Sequence, residues 1–375
     1  MTDASESSPA SPTPQANPEL LGHAGAEATL LRAFRSGRLP HAWMITGPRG
    51  VGKATLAFRF ARFLLARGGP GGGPGDGPGG GAPDLFGGSP ESLALDPGDP
   101  VFRRIAAGGH PDLRHLKRGV NPKTGKPRKE ILVDDVRLAN DFLHKTSAEG
   151  GWRVVVVDPA DDLNTSAANA LLKSLEEPPA AALLLLVSHA PGRLLPTIRS
   201  RCCHLAVGPL PEETVHDLLA RHAPELEASD RAALARLAEG SIGRALDLAA
   251  GGGLDLYREM IALIADLPAL DVPRVHAFGD LLARERDGAT FRTGMELLIW
   301  WLARLARAAA EGRLPPEVVP GEAETMARLI AAGNLARWPG LWEKTARRFA
   351  GAEGVNLDRK QVVITTLLDV QAATA

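Results

Sequence analysis

The chain has 375 residues, with 43 Lys and Arg against 44 Asp and Glu, so its formal net charge of -1 excludes any global attraction to nucleic-acid phosphates. Hydrophobic residues make up 44% and charged residues 23%, which is typical of a folded protein with two or three domains. The apolar run 297–303 is far shorter than a membrane span, and no secretory signal begins the chain. We therefore expect a cytoplasmic protein without a membrane partner.

The N-terminal residues 1–18 are rich in Ser and Pro, and we expect a disordered tail there. The first predicted strand, residues 42–46, is apolar and leads directly into glycines. The segment after them has helical spacing of Leu56, Phe60, Phe63 and Leu64. This order of strand, glycine loop and helix is the order that a phosphate-binding P-loop requires.

The loop itself departs from the P-loop pattern G-x-x-x-x-G-K-[ST] at one position. Its residues are Gly47, Gly50, Gly52, Lys53, Ala54 and Thr55. Ala54 replaces the Ser or Thr whose hydroxyl binds Mg²⁺. Thr55 does not restore that ligand, because one residue along a helix is a turn of about 100°.

The next segment, residues 67–100, begins with a stretch of Gly and Pro that cannot bury side chains. We expect a flexible insertion. Beyond it, further strands are predicted at residues 112–117, 153–158, 182–188 and 203–207, separated by helical patterns at 133–146 and 165–177. Two of these strands are continuously apolar, which is typical of strands covered on both faces. The alternation predicts an α/β domain with a doubly wound parallel sheet.

Asp158 ends the strand "VVVVD", where an Asp-Glu pair would hold Mg²⁺ and prepare the attacking water. Pro159 occupies the position of the glutamate and cannot polarise water. Asp158 is therefore either a remaining metal ligand or a strand-end carboxylate that caps a turn.

The strand signals stop after residue 208. Helical patterns at 212–221, 229–238 and 242–249 predict a small helical domain over residues 209–253, with Ser241 as a helix N-cap. Residues 254–375 are predicted to form a third, helical domain. The first domain then covers residues 19–208.

Several motifs resemble those of bacterial clamp-loader subunits of the AAA+ class. They are "NTSAANALLKSLEEPP" and "SHAPGRLLPTIRSRC", together with "GRLPHAW", "GGHPDL" and "VDDVR", which point to the family of delta prime subunits of DNA polymerase III. The resemblance covers roughly residues 20–248. It implies an AAA+ P-loop domain, a helical lid domain and a C-terminal helical collar domain for oligomerisation.

The resemblance also implies roles for three residues. Arg201 in "SRC" would be an arginine finger that acts in trans on ATP bound to a neighbouring subunit; otherwise it is an ordinary surface arginine. Ser188 is in the sensor-1 position, or is simply a strand-end hydroxyl bonded to the backbone. Arg244 resembles the sensor-2 arginine of the lid, or simply faces solvent.

Many relatives carry a four-cysteine zinc module, but this chain has only Cys202 and Cys203, so neither zinc nor another metal is expected. Both cysteines are interpreted as small core residues. The basic cluster 117–129 either contacts DNA phosphates or forms a solvated hairpin, and we favour the hairpin.

The function that this resemblance implies is a stator-like subunit of the DNA polymerase III clamp loader. It would join gamma/tau and delta subunits in a hetero-pentamer that loads a sliding clamp onto primed DNA. No cofactor is certain: ATP binding stays open, and its own ATPase activity is expected to be absent or weak. Two alternatives remain, an active motor ATPase like gamma/tau and a P-loop module that binds ATP without cleaving it.

Overall fold

The computed structural model describes residues 12–68, 90–126, 128–332, 337–355 and 357–374. They divide into two compact units, one made of residues 1–214 and 240–243 and the other of residues 215–239 and 244–375. No described helix is long and apolar enough to cross a lipid bilayer. The chain was predicted to have three domains, and the boundaries between them stay a prediction.

The first unit is a doubly wound α/β domain, as the alternation of strands and helices predicts. Its strands are β1 Ala42–Thr46, β2 Leu113–Leu116, β3 Arg153–Val157, β4 Ala182–Ser188 and β5 Cys203–Ala206. Its helices are α1 Ala24–Arg35, α2 Lys53–Arg67, α3 Pro100–Ala106, α4 Val133–His144, α5 Thr165–Glu176 and α6 Pro196–Arg199. The five strands are all parallel, in the order β2-β3-β4-β1-β5.

The sheet separates two hydrophobic clusters, because successive residues of a strand point to opposite faces. Leu183 and Leu185 of β4 join the cluster that includes α1 and α2, whereas Leu184 and Leu186 join the cluster that includes α4 and α5. Every residue of β3 and β4 is buried. The predicted covering of these strands on both faces is therefore confirmed.

Helix α2 packs on the sheet through the four positions that its spacing indicates, since Leu56, Phe60, Phe63 and Leu64 are all buried. The predicted insertion 67–100 begins at the last residue of α2 and ends at the first residue of α3, and its residues 69–89 lie outside the described residues. Leu93 is already buried in the core. The predicted segment thus includes a core residue, and the bounds of the insertion stay a prediction.

Of the predicted tail 1–18, residues 1–11 lie outside the described residues. The buried Arg62 of α2 donates hydrogen bonds to the carbonyl oxygens of Gln15 (3.0 Å) and Asn17 (2.7 Å). Desolvation lowers the pKa of Arg62 to about 10. A buried guanidinium needs these acceptors, so residues 15–17 are part of the fold.

The second unit is helical, in agreement with the loss of strand signals after residue 208. Its helices are most of α7 Glu212–His222 and α9 Ile242–Ala250, together with α8 Ala228–Leu237, α10 Gly253–Ala265, α11 Val272–Ala283, α12 Ala289–Glu311, α13 Glu322–Ala332, α14 Arg337–Val355 and α15 Arg359–Thr374. A buried polar cluster joins three of them. Glu322 accepts hydrogen bonds from Tyr257 and Arg304, both at 2.6 Å.

Candidate nucleotide loop and arginine corner

The glycine loop between β1 and α2 has the backbone of a P-loop. Gly47, Gly50 and Gly52 have φ angles of 147°, 75° and 100°, which side-chain-bearing residues rarely adopt. A Cβ atom on Gly47 would lie 1.9 Å from the carbonyl oxygen of Val207, so the close approach of these two segments requires glycine. The sequence pattern therefore predicts the shape of the loop correctly.

Lys53 begins α2 and is only 3% exposed. Its ammonium donates hydrogen bonds to the carbonyl oxygens of Gly47, at 2.8 Å, and of Pro48. Desolvation lowers the pKa of Lys53 to about 8, although Asp158 and Asp161 oppose the shift. The cation that would contact a phosphate is thus bound to its own loop.

The acidic side of the site holds Asp158, which directly follows β3. Burial raises the pKa of its carboxyl group, and the charge of Lys53 partly offsets this effect. Pro159 follows it and has no acid, while Ala54 in α2 has no hydroxyl. The glycine loop and Lys53 are suited in type to a phosphate group, but the residues that would bind and use Mg²⁺ are incomplete. Whether ATP binds stays open.

Asp161 is a residue that the sequence reasoning missed. Its carboxylate accepts hydrogen bonds from the Ser188 hydroxyl (2.8 Å) and from the backbone N–H groups of His189 (2.5 Å) and Ala190 (3.2 Å). Asp161 therefore joins the segments that follow β3 and β4. The sequence signal for Asp161 was its place three residues after Asp158, in the turn that follows β3. Strand β3 is paired with β4, which ends at Ser188.

Ser188 lies at the end of β4, as predicted, and is fully buried. Its hydroxyl bonds to a carboxylate rather than to the backbone, which corrects the alternative reading of this residue. His189 has a lowered pKa, mainly because of desolvation and then because of Lys53. The sensor-1 role of Ser188 stays a prediction.

Helix α9 begins at Ile242, directly after the predicted N-cap Ser241. Gly243 donates its N–H to the carbonyl oxygen of Gly50 at 2.9 Å, and a Cβ on Gly243 would lie 2.9 Å from the Gly50 Cα atom. Arg244 is partly exposed and has Glu239 at 4.0 Å. Its sensor-2 role also stays a prediction.

Arg201 lies in the turn between α6 and β5. Its side chain is 37% exposed, and its guanidinium donates to the carbonyl oxygen of Thr197 (3.0 Å) and forms an ion pair with Glu176 (2.8 Å). Glu176 is the last residue of α5 and is 50% exposed. Arg201 is therefore held in place at the surface rather than buried.

The arginine corner, Arg201 with Glu176, lies at the opposite end of the strands from the P-loop. The P-loop follows the carboxyl end of β1, whereas Arg201 precedes the amino end of β5, which runs parallel to β1 with Cys203 opposite Trp43. Four residues of strand separate these levels, which is about 13 Å. An extended arginine side chain is much shorter than this distance. Arg201 therefore cannot reach its own P-loop.

The two cysteines have different environments. Cys202 is buried, and desolvation raises its pKa to about 12, but Cys203 is exposed on the edge strand β5. The prediction that both are core residues was wrong for Cys203, because an edge strand leaves side chains uncovered. Among the described residues, no group of three or more His, Cys, Asp or Glu side chains is arranged to hold a metal.

Comparison with known proteins gives matches among subunits of DNA polymerase III. A family model described as DNA polymerase III, delta subunit, matches residues 90–211. The DNA polymerase III subunit delta′ of Pseudomonas aeruginosa is 39% identical over 54% of this chain and 53% of its own length. The delta′ subunit of Escherichia coli is 29% identical over 90% of this chain and 91% of its own length.

More distant matches include the gamma/tau subunit of Mycobacterium tuberculosis, 32% identical over 54% of this chain and 30% of its own length. A solved DNA polymerase III gamma subunit-related protein from Thermotoga maritima covers 92% of this chain and all of its own, with 17% identity and a TM-score of 0.39. The parallel sheet and the glycine loop are those of a P-loop α/β protein. Within that class, the chain is similar in sequence to DNA polymerase III delta prime subunits.

Proposed function

We propose that this chain is the delta prime-type, stator-like subunit of a bacterial clamp loader. In this role it closes a ring of subunits and supplies Arg201 to ATP bound by its neighbour. The match to the E. coli delta′ subunit over 91% of that relative supports the assignment, while the P. aeruginosa match spans about half of its relative.

The position of Arg201 is the observation that carries the proposal. An exposed guanidinium at the sheet edge away from its own glycine loop can serve a phosphate only on another molecule. Arginine suits this task because it stays charged and presents a planar fork of donors. Its partner Glu176 is itself half exposed, so exchanging this ion pair for a phosphate costs little.

The chain's own glycine loop supports a role in which this chain does not hydrolyse ATP and its neighbour does. Without a hydroxyl at Ala54 and an acid at Pro159, the site lacks two groups that phosphoryl transfer uses. The Lys53 ammonium is also engaged by two loop carbonyls. We therefore expect little or no ATP hydrolysis by the chain itself.

The partners follow from this role. We expect the chain to join gamma/tau and delta subunits, and the gamma/tau relatives support membership of such a complex. We propose a hetero-pentamer that opens a sliding clamp on primed DNA in the cytoplasm. The enzyme activity would belong to the complex, a part of DNA polymerase III holoenzyme.

Two alternatives give different results with the purified chain. Intact glycines and Lys53 favour a motor ATPase, which would turn over ATP. A binding module would hold ATP tightly without turnover. A stator shows neither, so equilibrium binding with and without Mg²⁺, together with a turnover assay, separates the three.

The direct test of the proposal uses the assembled complex. Arg201→Ala should leave folding and assembly intact and lower ATP hydrolysis at the neighbouring site by about 10³-fold. Arg193→Ala is the matched control, because Arg193 is an exposed arginine in the turn after β4. Unchanged hydrolysis in an assembled Arg201→Ala complex would reject the role.

A further inference from the structure

The segment between β2 and α4 concentrates the lysines of the chain. The whole sequence has only nine lysines among its 43 basic residues, and four of the nine are Lys117, Lys123, Lys126 and Lys129. The same segment has one acid, Glu130. We call residues 117–126 and 128–130 the basic hairpin. Basic residues thus far outnumber acidic ones in this segment, although the net charge of the whole chain is -1.

Backbone hydrogen bonds define the basic hairpin, whereas its predicted role, solvated or in contact with DNA, stays open. The N–H of Asn121 donates to the carbonyl oxygen of Lys126, and the N–H of Arg128 donates to that of Gly119, both at 2.8 Å. Gly125, with a φ of 66°, allows the reversal and donates to Asn121. The two sides of the hairpin are therefore paired by backbone hydrogen bonds, unlike those of an irregular loop.

The two arginines of the basic hairpin anchor its two sides. Arg118 forms an ion pair with Asp162 at 2.9 Å, and Arg128 lies 3.6 Å from Asp135 in α4. Asp162 is in the turn after β3, so the hairpin is fixed near the carboxyl edge of the sheet. These arginines are already paired within the chain and build the hairpin.

The four lysines are arranged differently. All four are exposed, and none has a carboxylate within 4.0 Å in the described parts of the chain. Like charges on one short hairpin repel each other, although the Asp158 carboxylate partly compensates the charge of Lys117. A closely spaced set of anions on another molecule would remove this repulsion and would release the counterions of both.

We propose that the basic hairpin binds the phosphate backbone of duplex DNA. Lysines are flexible point charges suited to phosphates, and the described hairpin has no aromatic residue to stack on the exposed bases of a single strand. The contact is therefore independent of base sequence and sensitive to salt. It goes beyond the proposed finger role, because it requires neither Arg201 nor ATP.

The test measures binding of the full purified chain to a fluorescent 20-base-pair duplex by anisotropy, at several salt concentrations. The variant replaces Lys117, Lys123, Lys126 and Lys129 with alanine. Each lysine that contacts a phosphate contributes about 1 to the slope of log K against log salt, so the slope should fall by up to about 4. The corresponding four-arginine variant should keep most of the slope.

The control variant removes the same charge from exposed positions elsewhere, Arg38, Lys145, Arg286 and Arg313. It should lose much less of the slope than the hairpin variant, and circular dichroism should show both variants folded. Equal slopes for the parent and the hairpin variant would overturn the proposal, as would equal losses in the two variants. Tighter binding to a single strand of the same length would overturn the duplex assignment.

Discussion

Lys53 and Arg201 are two cations of the same α/β unit that the fold treats in opposite ways. Lys53 is buried at the carboxyl edge of the sheet and is held by carbonyl oxygens of its own loop. Arg201 lies exposed at the amino ends of the strands and forms an ion pair with a surface carboxylate. A buried, internally bonded cation is costly to redirect, whereas an exposed pair exchanges partners easily. Burial and the end of the strands at which a cation lies, rather than its charge, thus decide whether it is accessible to another molecule.

The largest effect on the exposed cation is expected for Arg201→Lys. The substitution keeps the charge but loses the planar fork of donors, so we expect ATP hydrolysis by the assembled complex to fall on the order of 10²-fold. Steady-state ATPase measurements with DNA and clamp would show it. Full activity with lysine would mean that a point charge at this corner is sufficient.

The next effect concerns the burial of Lys53 and depends on pH. Its pKa is lowered from 10.5 to about 8 in the folded state, so the unfolded chain binds more protons between these values. The free energy of unfolding therefore rises with pH in this window, by about 2 kcal/mol from pH 7.5 to 9.5. Lys53→Met removes this rise.

Denaturant unfolding of the parent and of Lys53→Met at the two pH values measures the difference. The parent should gain stability relative to the variant at the higher pH. Lys173→Met is the control, since it removes an exposed lysine from α5. Parallel behaviour of the parent and Lys53→Met would show that Lys53 is not desolvated.

A smaller effect is expected for the partner of Arg201. Glu176→Gln removes an ion pair between side chains that are both more than one-third exposed, so stability should change by less than about 1 kcal/mol. The ATPase of the complex should stay within about threefold of the parent. The control is Glu177→Gln, at the adjacent exposed residue. A loss comparable to that of Arg201→Ala would instead make Glu176 a positioning residue for the guanidinium.

The smallest effect is expected for Ala54→Ser. It restores the missing hydroxyl, but Pro159 still supplies no acid, so phosphate release by the purified chain should not rise above the background of Lys53→Ala. Turnover above that background would show that only the hydroxyl was missing. It would contradict the expectation that the site of Lys53 does not hydrolyse ATP.

The elements of the α/β unit were predictable because they depend on local patterns. The apolar runs of β3 and β4 are buried on both faces, and the helical spacing of α2 faces the sheet, as their periods indicate. The tail and insertion boundaries were less predictable. Residues 15–17 and Leu93 are ordered by contacts with distant parts of the chain, and a polar or glycine-rich local composition does not report such contacts.

The sequence by itself determined the glycine loop, the absence of a hydroxyl at Ala54 and of an acid at Pro159, because these are identities of single residues at fixed spacing. Only the tertiary structure decided that Lys53 bonds to its own loop, that Asp161 joins the segments after β3 and β4, and that Arg201 lies at the other edge of the sheet. The first of these facts depends on how the loop closes around Lys53, and the other two depend on strand order and direction. Parallel strands bring residues far apart in sequence to one edge, and no local pattern records which residues meet there.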